Sequence, residues 1–313
     1  MPELPEVETV RRTLADRVRG CTVSGVIVRR RDVIVTPDDP AGGFSRQRRT
    51  PAERGTRDER RIRRSRSPRR VEKSDLLLDD QISDIRRHGK QLALVGESGR
   101  CVLIHLGMTG EVMAPGPGQR LRAADHLHVL WTLRQPGGDS AGRMVFRDPR
   151  RFGGIWTLPT PQALADRWAQ LGPDGLTITG EGLARGAGRS RRAVKAALLD
   201  QRTVAGVGNI YADESLFRSG IAPQRLASGL SASDWERLAG AIREILSQAV
   251  ELRGSTLRDY RDAGGLPGDA TSLHQVYGRS GRSCNRCETP LSDELVAQRT
   301  TVWCPRCQPA ENG

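Results

Sequence analysis

Four cysteines near the end of the chain narrow its folding options most. Cys284, Cys287, Cys304 and Cys307 form the pattern C-x2-C-x16-C-x2-C. Two close pairs at that separation can bring four thiolates to one point, the arrangement of a tetrahedral structural zinc site. The same residues could instead close two disulfides in an oxidising compartment. The first helical stretch is too acidic for a secretion signal, and no apolar run is long enough to span a bilayer. One structural zinc ion in a soluble, cytoplasmic protein is therefore the expectation. Cys21 and Cys101 lie in the apolar runs CTVSGVIV and CVLIHLG and are expected in the core.

Upstream of the cysteines the pattern changes twice. Leu4, Val7, Val10, Leu14 and Val18 recur at helical spacing. The segments CTVSGVIV, QLALV, CVLIHLG, LHVLWTL and RMVFRD then read as short strands broken by Gly, Pro and Asp. Strands in succession with no helix between them argue for an antiparallel sandwich or barrel. From about Asn209 the chain turns helical, in ADESLFRSG and in ASDWERLAGAIREILSQAVEL, which opens at a Ser231-x-Ser233-Asp234 cap. The prolines of LPTPQALADRW mark a boundary. The reading is an α+β protein with β structure over 1–158, helices over 159–272 and the cysteine module over 273–313. Residues 41–70 hold twelve arginines against three acids and almost nothing apolar. They are expected to be a disordered basic insertion, serving either as a phosphate-binding arm or only as tolerated length.

Lys and Arg total 50 against 37 Asp and Glu, a net charge of +13. A polyanion is the leading partner for such an excess, ahead of an anionic membrane surface. The chain opens MPELPEVETVRRTL, and a proline followed by acids suits the first turn of a helix. Met1 before the small residue Pro2 is also one that is normally removed, leaving a secondary amine. At the positive end of a helix that amine is held in the neutral form needed for attack. Its addition to an aldehyde-like carbon gives an iminium, an electron sink, with Glu3 placed to move protons.

Other stretches carry a functional and a plain reading side by side. Lys90 follows Gly89 at the mouth of a strand in RRHGKQLAL, where it could hold phosphate or substrate or be merely solvated. In HLGMTGEV, Met108 sits in a glycine-flanked turn with His105 and Thr109, either as a wedge or as a core methionine. In FRDPRRFGG, Asp148-Pro149 starts a turn bearing Arg150, Arg151 and Phe152. A guanidinium beside an aromatic ring could fill a hole in a base stack, or Phe152 could tuck into the core. Gly206, Gly208 and Asn209 in TVAGVGNIYADESLF, with Lys195 in the helical run before them, fit a phosphate clamp or ordinary helix-hairpin packing. Arg299 lies between the cysteine pairs in AQRTTVWC, as a DNA-facing tip residue or an unremarkable surface arginine.

In order and over nearly the whole chain, these stretches resemble the bacterial formamidopyrimidine-DNA glycosylases. The matching segments are MPELPEVETVRR, RRHGKQL, HLGMTG, DPRRFG, LGPDGL, ALLDQRTVAGVGNIYADESLFRSGI, RGSTLRDYRDAGG, QVYGR and the cysteine module with AQRTT. The resemblance implies an N-terminal β-sandwich, a helix-two-turns-helix domain and a β-hairpin zinc finger, acting as a monomer on bacterial nucleoid DNA. The implied activity is excision of oxidised purines from double-stranded DNA, and cleavage at abasic sites by β- and δ-elimination. It implies Pro2 as Schiff-base nucleophile, Glu3 and Lys90 as catalytic partners, and Glu6 lining the lesion pocket. Met108, Arg150 and Phe152 would fill the void left by the extruded base. His128, Arg151, Lys195, Asn209 and Arg299 would contact DNA. A sister activity on oxidised pyrimidines, or zinc-dependent DNA binding without chemistry, are the alternatives. The ELPE opening with the full void-filling set disfavours the first, and Pro2, Glu3 and Lys90 together disfavour the second. Two stretches depart from the family pattern: the insertion at 41–70, and GGLPGDATSLHQVYG, expected to cover the flipped base, where Asp269-Ala270 stand in place of aromatic residues.

Overall fold

The computed structural model describes residues 2–35, 71–116, 126–257 and 260–310. Met1 and the arginine-rich stretch 41–70 lie outside the described residues. Helix α1 (Leu4–Val18) begins with a reciprocal capping box between Glu3 and Glu6 and with proline in its first turn, where no N–H is needed. The strands that follow are β1 (Thr22–Val28), β2 (Ile34–Val35), β3 (Ile82–His88), β4 (Gln91–Gly96), β5 (Cys101–His105), β6 (Glu111–Met113), β7 (Leu127–Arg134), β8 (Ser140–Arg147) and β9 (Gly154–Leu158). They form two sheets, in the orders β1-β7-β8-β6 and β2-β9-β5-β4-β3. Neighbours run antiparallel except β2 and β9, a parallel edge pairing of Ile34 with Ile155 and Val35 with Trp156.

Strand alternation sorts the side chains into layers. Leu92, Leu94, Val102 and Ile104 of one sheet meet Val23, Val129, Trp131 and Phe146 of the other, and Val7, Val10 and Leu14 of α1 join the same core. Cys21 is buried there too. The opposite face of the five-stranded sheet presents Ala93, Val95, Cys101, Leu103 and Trp156, covered by helix α2 (Pro161–Trp168). Thr160 caps α2, its hydroxyl accepting from Ala163 N at 3.1 Å. The prolines at 159 and 161 therefore start a helix that completes the β layer, and the change of core comes after α2 rather than before it.

Helices α3 (Gly180–Ala187), α4 (Val194–Leu198), α5 (Asn209–Ser219) and α6 (Ala232–Glu251) enclose a second core of Leu183, Leu198, Val207, Leu216, Trp235, Leu238, Ile242 and Leu246. Leu4 belongs to this core although Val7 belongs to the first, so the opening turn of α1 joins the two bodies. Leu4 N donates to Gly206 O at 3.1 Å. A second joint is ionic: Arg87 reaches Glu8 at 2.9 Å and Asp174 at 2.6 Å, and Gly89 N donates to the same aspartate at 2.8 Å. Burial alone would raise the Glu8 pKa, but the guanidiniums of Arg11 and Arg87 outweigh it and bring it down to about 2. The finger hairpin, β10 (Ser292–Val296) and β11 (Arg299–Trp303), packs through Leu291 and Val302 onto Phe217 and Val276. Ala297 and Gln298 at its tip both adopt left-handed backbone, φ 50° and 60°, as a tight two-residue hairpin turn demands.

Candidate active site between the two bodies

Glycines place Glu3. Gly206 adopts φ +110°, and a side chain at Gly208 would collide with the Glu3 carboxyl. With that space free, Glu3 sits on the N-terminus of α5 and accepts from Gly208 N at 2.7 Å, Ile210 N at 2.9 Å and Tyr211 N at 3.4 Å. One turn along, Glu6 accepts from Glu3 N at 2.7 Å, Ser255 N at 2.6 Å and Tyr211 Oη at 2.8 Å. Burial and the charge of Glu3 push the Glu6 pKa up, against those hydrogen bonds. Tyr260 Oη closes the group by donating to Glu6 O at 3.1 Å.

Pro2 and Glu6 form the inner wall of a cavity of about 500 Å³, whose mouth carries Met108, Arg150, Leu257 and Tyr277. The rim consists of two turns tied together from beneath. Asp148 is fully buried; it accepts from Thr109 Oγ1 at 2.6 Å and from Gly153 N at 2.7 Å, so the Met108 turn and the Arg150–Phe152 turn move as one. Met108 is 41% exposed, which excludes the core reading. The Arg150 guanidinium lies 4.6 Å over the Phe152 ring, a stacked pair at the cavity mouth. Arg151 takes φ +56°, in left-handed backbone that disfavours a side chain, and pairs with Asp32 at 3.1 Å.

Lys90 is buried, and burial lowers its pKa while Glu3 and Glu6 oppose that shift. The charge of Arg299, from the finger, adds to the lowering. His105, opposite Gln91 in the β4–β5 ladder, accepts from Gly107 N at 3.1 Å, and burial with the Lys90 charge takes its pKa down to about 4.

Two of the expected DNA contacts, Lys195 and His128, are buried rather than placed at the surface. Lys195 is 0% exposed; its ammonium pairs with Asp213 at 2.6 Å and donates to Thr301 Oγ1 at 2.7 Å and Thr300 O at 3.1 Å. Burial pushes Asp213 up and Lys195 down, as for any ion pair taken out of water. Lys195 thus ties α4 to α5 and the finger, and it presents no charge at the surface. His128 is 4% exposed, with Nε2 on Asp148 O at 2.8 Å and Nδ1 unpartnered, so it supports the rim turn from within. Asn209 is half-buried and donates to Thr300 O at 3.0 Å, while its Oδ1 has no partner. The stretch expected to cover a flipped base is divided: its Tyr277 stands at the cavity mouth, while its Asp269-Ala270 part lies elsewhere. Ala270 is buried in the helical core, where its N–H donates to Gly254 O at 3.0 Å, whereas Ser255, Leu257 and Tyr260 line the cavity. The sequence reading missed Asp148, Tyr211, Ser255 and Tyr260. Tyr211 lies inside the GVGNIYADESLF block and Ser255 to Tyr260 inside RGSTLRDYRDAGG, both quoted for the resemblance without a role.

The four cysteine sulfurs lie within 4.8 Å of one another, with Cys284 to Cys307 at 3.9 Å, Cys287 to Cys304 at 3.4 Å and Cys287 to Cys307 at 3.5 Å. A tetrahedral ion with Zn–S bonds of about 2.3 Å needs S–S edges of about 3.8 Å. The donor set fits zinc.

Three family models match the chain. The formamidopyrimidine-DNA glycosylase N-terminal domain matches residues 1–57 and 46–155, the H2TH domain of the same enzymes 171–261, and the zinc finger found in FPG and IleRS 283–310. The formamidopyrimidine-DNA glycosylase of Stenotrophomonas maltophilia is 39% identical over 98% of this chain and 100% of its own length. That of Thermomicrobium roseum is 40% identical over 99% of each. The chain belongs to the formamidopyrimidine-DNA glycosylase family. Solved members of the family share its architecture. The MutM (FPG) protein of Thermus thermophilus superposes with a TM-score of 0.76 at 36% identity, covering 98% of both chains. A Lactococcus lactis FPG variant, solved with Fapy-dG-containing DNA, gives 0.77 at 28% identity over 99% of this chain and 100% of the other.

Proposed function

We propose that the protein is a bifunctional DNA glycosylase and abasic-site lyase of base excision repair, acting on oxidised purines such as 8-oxoguanine and formamidopyrimidines. The observation that carries the reading is the placement of Pro2 on the inner wall of a base-sized cavity, with Glu6 beside it and Met108 and Arg150 on its rim. With Met1 removed, the Pro2 nitrogen attacks C1′ of the damaged nucleotide. The glycosidic bond breaks with its electron pair leaving on the base, and the sugar opens to an iminium. That sink lets the 3′ and then the 5′ phosphate depart by β- and δ-elimination, leaving a one-nucleotide gap.

Glu3 moves protons at the sugar from a position locked on α5, and the buried Lys90, held charged by the fields of Glu3 and Glu6, meets the damaged nucleotide and its phosphate. The nucleotide must leave the stack to reach them, and the stacked Arg150 and Phe152 with Met108 enter the space it vacates. Arg151, Asn209 and Arg299 meet the phosphates directly. His128 and Lys195 act from below, by fixing the rim turn and the finger. Zinc, when bound, supplies the clamp that gives the finger its shape. Residues up to about 170 serve as the catalytic body, the helices and finger as the DNA-gripping one, in a monomer working on the bacterial chromosome. Among the described residues no helix is long and apolar enough to cross a membrane. Duplexes carrying one 8-oxoguanine, one ring-opened guanine or one thymine glycol test the substrate class. Cleavage of the purine lesions well above the pyrimidine is expected, and the reverse order would overturn it.

A further inference from the structure

Behind the lesion cavity lies a second one, of about 310 Å³, lined by Tyr211, Glu214, Phe217, Gln248, Leu273 and His274 among others. It opens to solvent beside the exposed residues Arg218, Gln248 and Ser272. The wall between the two cavities is a single file of polar side chains. Tyr211 Oη is 2.8 Å from Glu6 Oε1 and 3.2 Å from Ser255 Oγ, and Ser255 Oγ is 3.1 Å from His274 Nε2. Glu6, Tyr211 and Ser255 are 1%, 1% and 5% exposed, so no solvent route competes with this file inside the wall. Glu6 and Ser255 line the lesion cavity, His274 the rear one, and Tyr211 stands between them.

We propose that Tyr211, Ser255 and His274 form a proton wire that carries protons from the rear cavity to Glu6 while duplex DNA covers the front of the lesion pocket. The proposal rests on reading the front cavity as the lesion pocket. The hydrogen bonds allow one direction. With Glu6 ionised, Tyr211 must donate to it. Ser255 then donates to Tyr211, and the Nε2–H of His274 donates to Ser255. Moving each proton one place inward puts the Tyr211 proton on Glu6, the Ser255 proton on Tyr211 and the His274 proton on Ser255. A water molecule in the rear cavity protonates His274 at Nδ1 and leaves as hydroxide, so the atoms and charges balance. Glu6 then holds, as a neutral acid, the proton that the departing base needs when it leaves with the glycosidic electron pair. Burial supports both ends, raising the pKa of Glu6 and holding His274 down at about 4, a neutral imidazole able to give and take at its two nitrogens. The three other charged groups of the rear wall are already engaged, Arg218 by its ion pair with Glu244. Glu214 is taken by the backbone N–H groups of Gln275, Val276 and Tyr277, and Arg286 stacks on Phe217.

The test compares base excision with strand cleavage at a preformed abasic site, which needs Pro2 and Glu3 but no leaving base. His274→Ala should slow excision of the lesion on the order of tenfold, below the full 10²–10⁴ of a direct acid or base, and leave abasic-site cleavage unchanged. Imidazole added to the solution should restore excision through the rear cavity. His274→Gln keeps a hydrogen bond to Ser255 but cannot pass a proton, so it should be as slow as the alanine variant. Ser255→Ala removes one hydroxyl and should give the same loss, with no further loss in the double variant. Undiminished excision in His274→Ala, recovery in His274→Gln, no response to imidazole, or additive losses in the double variant would each overturn the wire. If the His274 variants also lose abasic-site cleavage, Ser255→Ala alone decides by the same excision measurement. An unaltered protein that neither excises nor cleaves would instead contradict the proposed function.

Discussion

Glu3, set behind the inner wall of the proposed lesion cavity, and Glu6, on that wall, are 2% and 1% exposed and accept six hydrogen bonds between them from α1, α5 and the segment at Ser255. Met108 and Arg150, on the outer rim, are exposed, and their turns are held from beneath by Asp148 and joined by Arg150 N donating to Thr109 Oγ1 at 3.3 Å. The wall is built where atoms must be placed to within fractions of an ångström, on a helix N-terminus and a capping box. The rim is built where side chains must enter a changing DNA stack, on loops over a buried anchor. Chemistry and lesion search are thereby assigned to different kinds of support, and substitutions on each should differ in kind as well as size.

The largest effect belongs to the wall. Glu3→Gln keeps an acceptor for the α5 amides, so the fold should stand while excision and abasic-site cleavage fall together by about 10²–10⁴ in single-turnover assays. Unchanged rates would remove Glu3 from the chemistry. Next comes the finger, which Lys195 ties to the helical body. Cys304→Ser, or chelation of the metal, should release zinc and weaken duplex binding by on the order of 10²-fold in a titration. Retained metal and binding would refute the four-thiolate site. The rim's anchor follows, since Asp148→Ala strips the partners from Thr109 Oγ1 and Gly153 N and should cost about 3 kcal/mol in urea unfolding.

Arg150→Ala should shift stability by no more than about 0.5 kcal/mol, yet slow excision on the order of tenfold while abasic-site cleavage holds. Equal losses of both activities would collapse the distinction between wall and rim. The smallest effect is at the joint behind the wall. Glu8 has a pKa of about 2 against an ordinary 4.5, so its contribution to stability is complete above pH 4.5 and is lost as pH falls toward 2. Urea midpoints of Glu8→Gln should lack that part of the acid slope.

The sequence disclosed the parts of this comparison unevenly. The helix start behind Pro2 and Glu3 and the cysteine quartet were legible because their signals are local: a capped first turn and a fixed spacing. The sandwich and the helices were legible from periodicity, and the single parallel pairing of β2 with β9 was not, since two residues carry no pattern. The burial of Lys195 depends on Asp213 and on Thr301, 106 residues away, and no window along the chain contains that pairing. His128 reads as a free polar residue until Asp148 O is found beneath it. The covering of the pocket was assigned to GGLPGDATSLHQVYG through the resemblance rather than from its own residues; Ala270 is drawn into the helical core, while Tyr277 of that stretch joins Leu257 and Tyr260 at the cavity. Arg87 and Asp174, which bolt the two bodies together, lay in quoted segments with nothing local to connect them.

The most direct test of the Pro2 nucleophile is reduction with borohydride during turnover on a duplex with one 8-oxoguanine opposite cytosine, followed by mapping of the modified peptide. A covalent adduct on the amine of Pro2, in protein lacking Met1, is the predicted result. Retention of Met1 with full activity, or an adduct confined to Lys90, would contradict it.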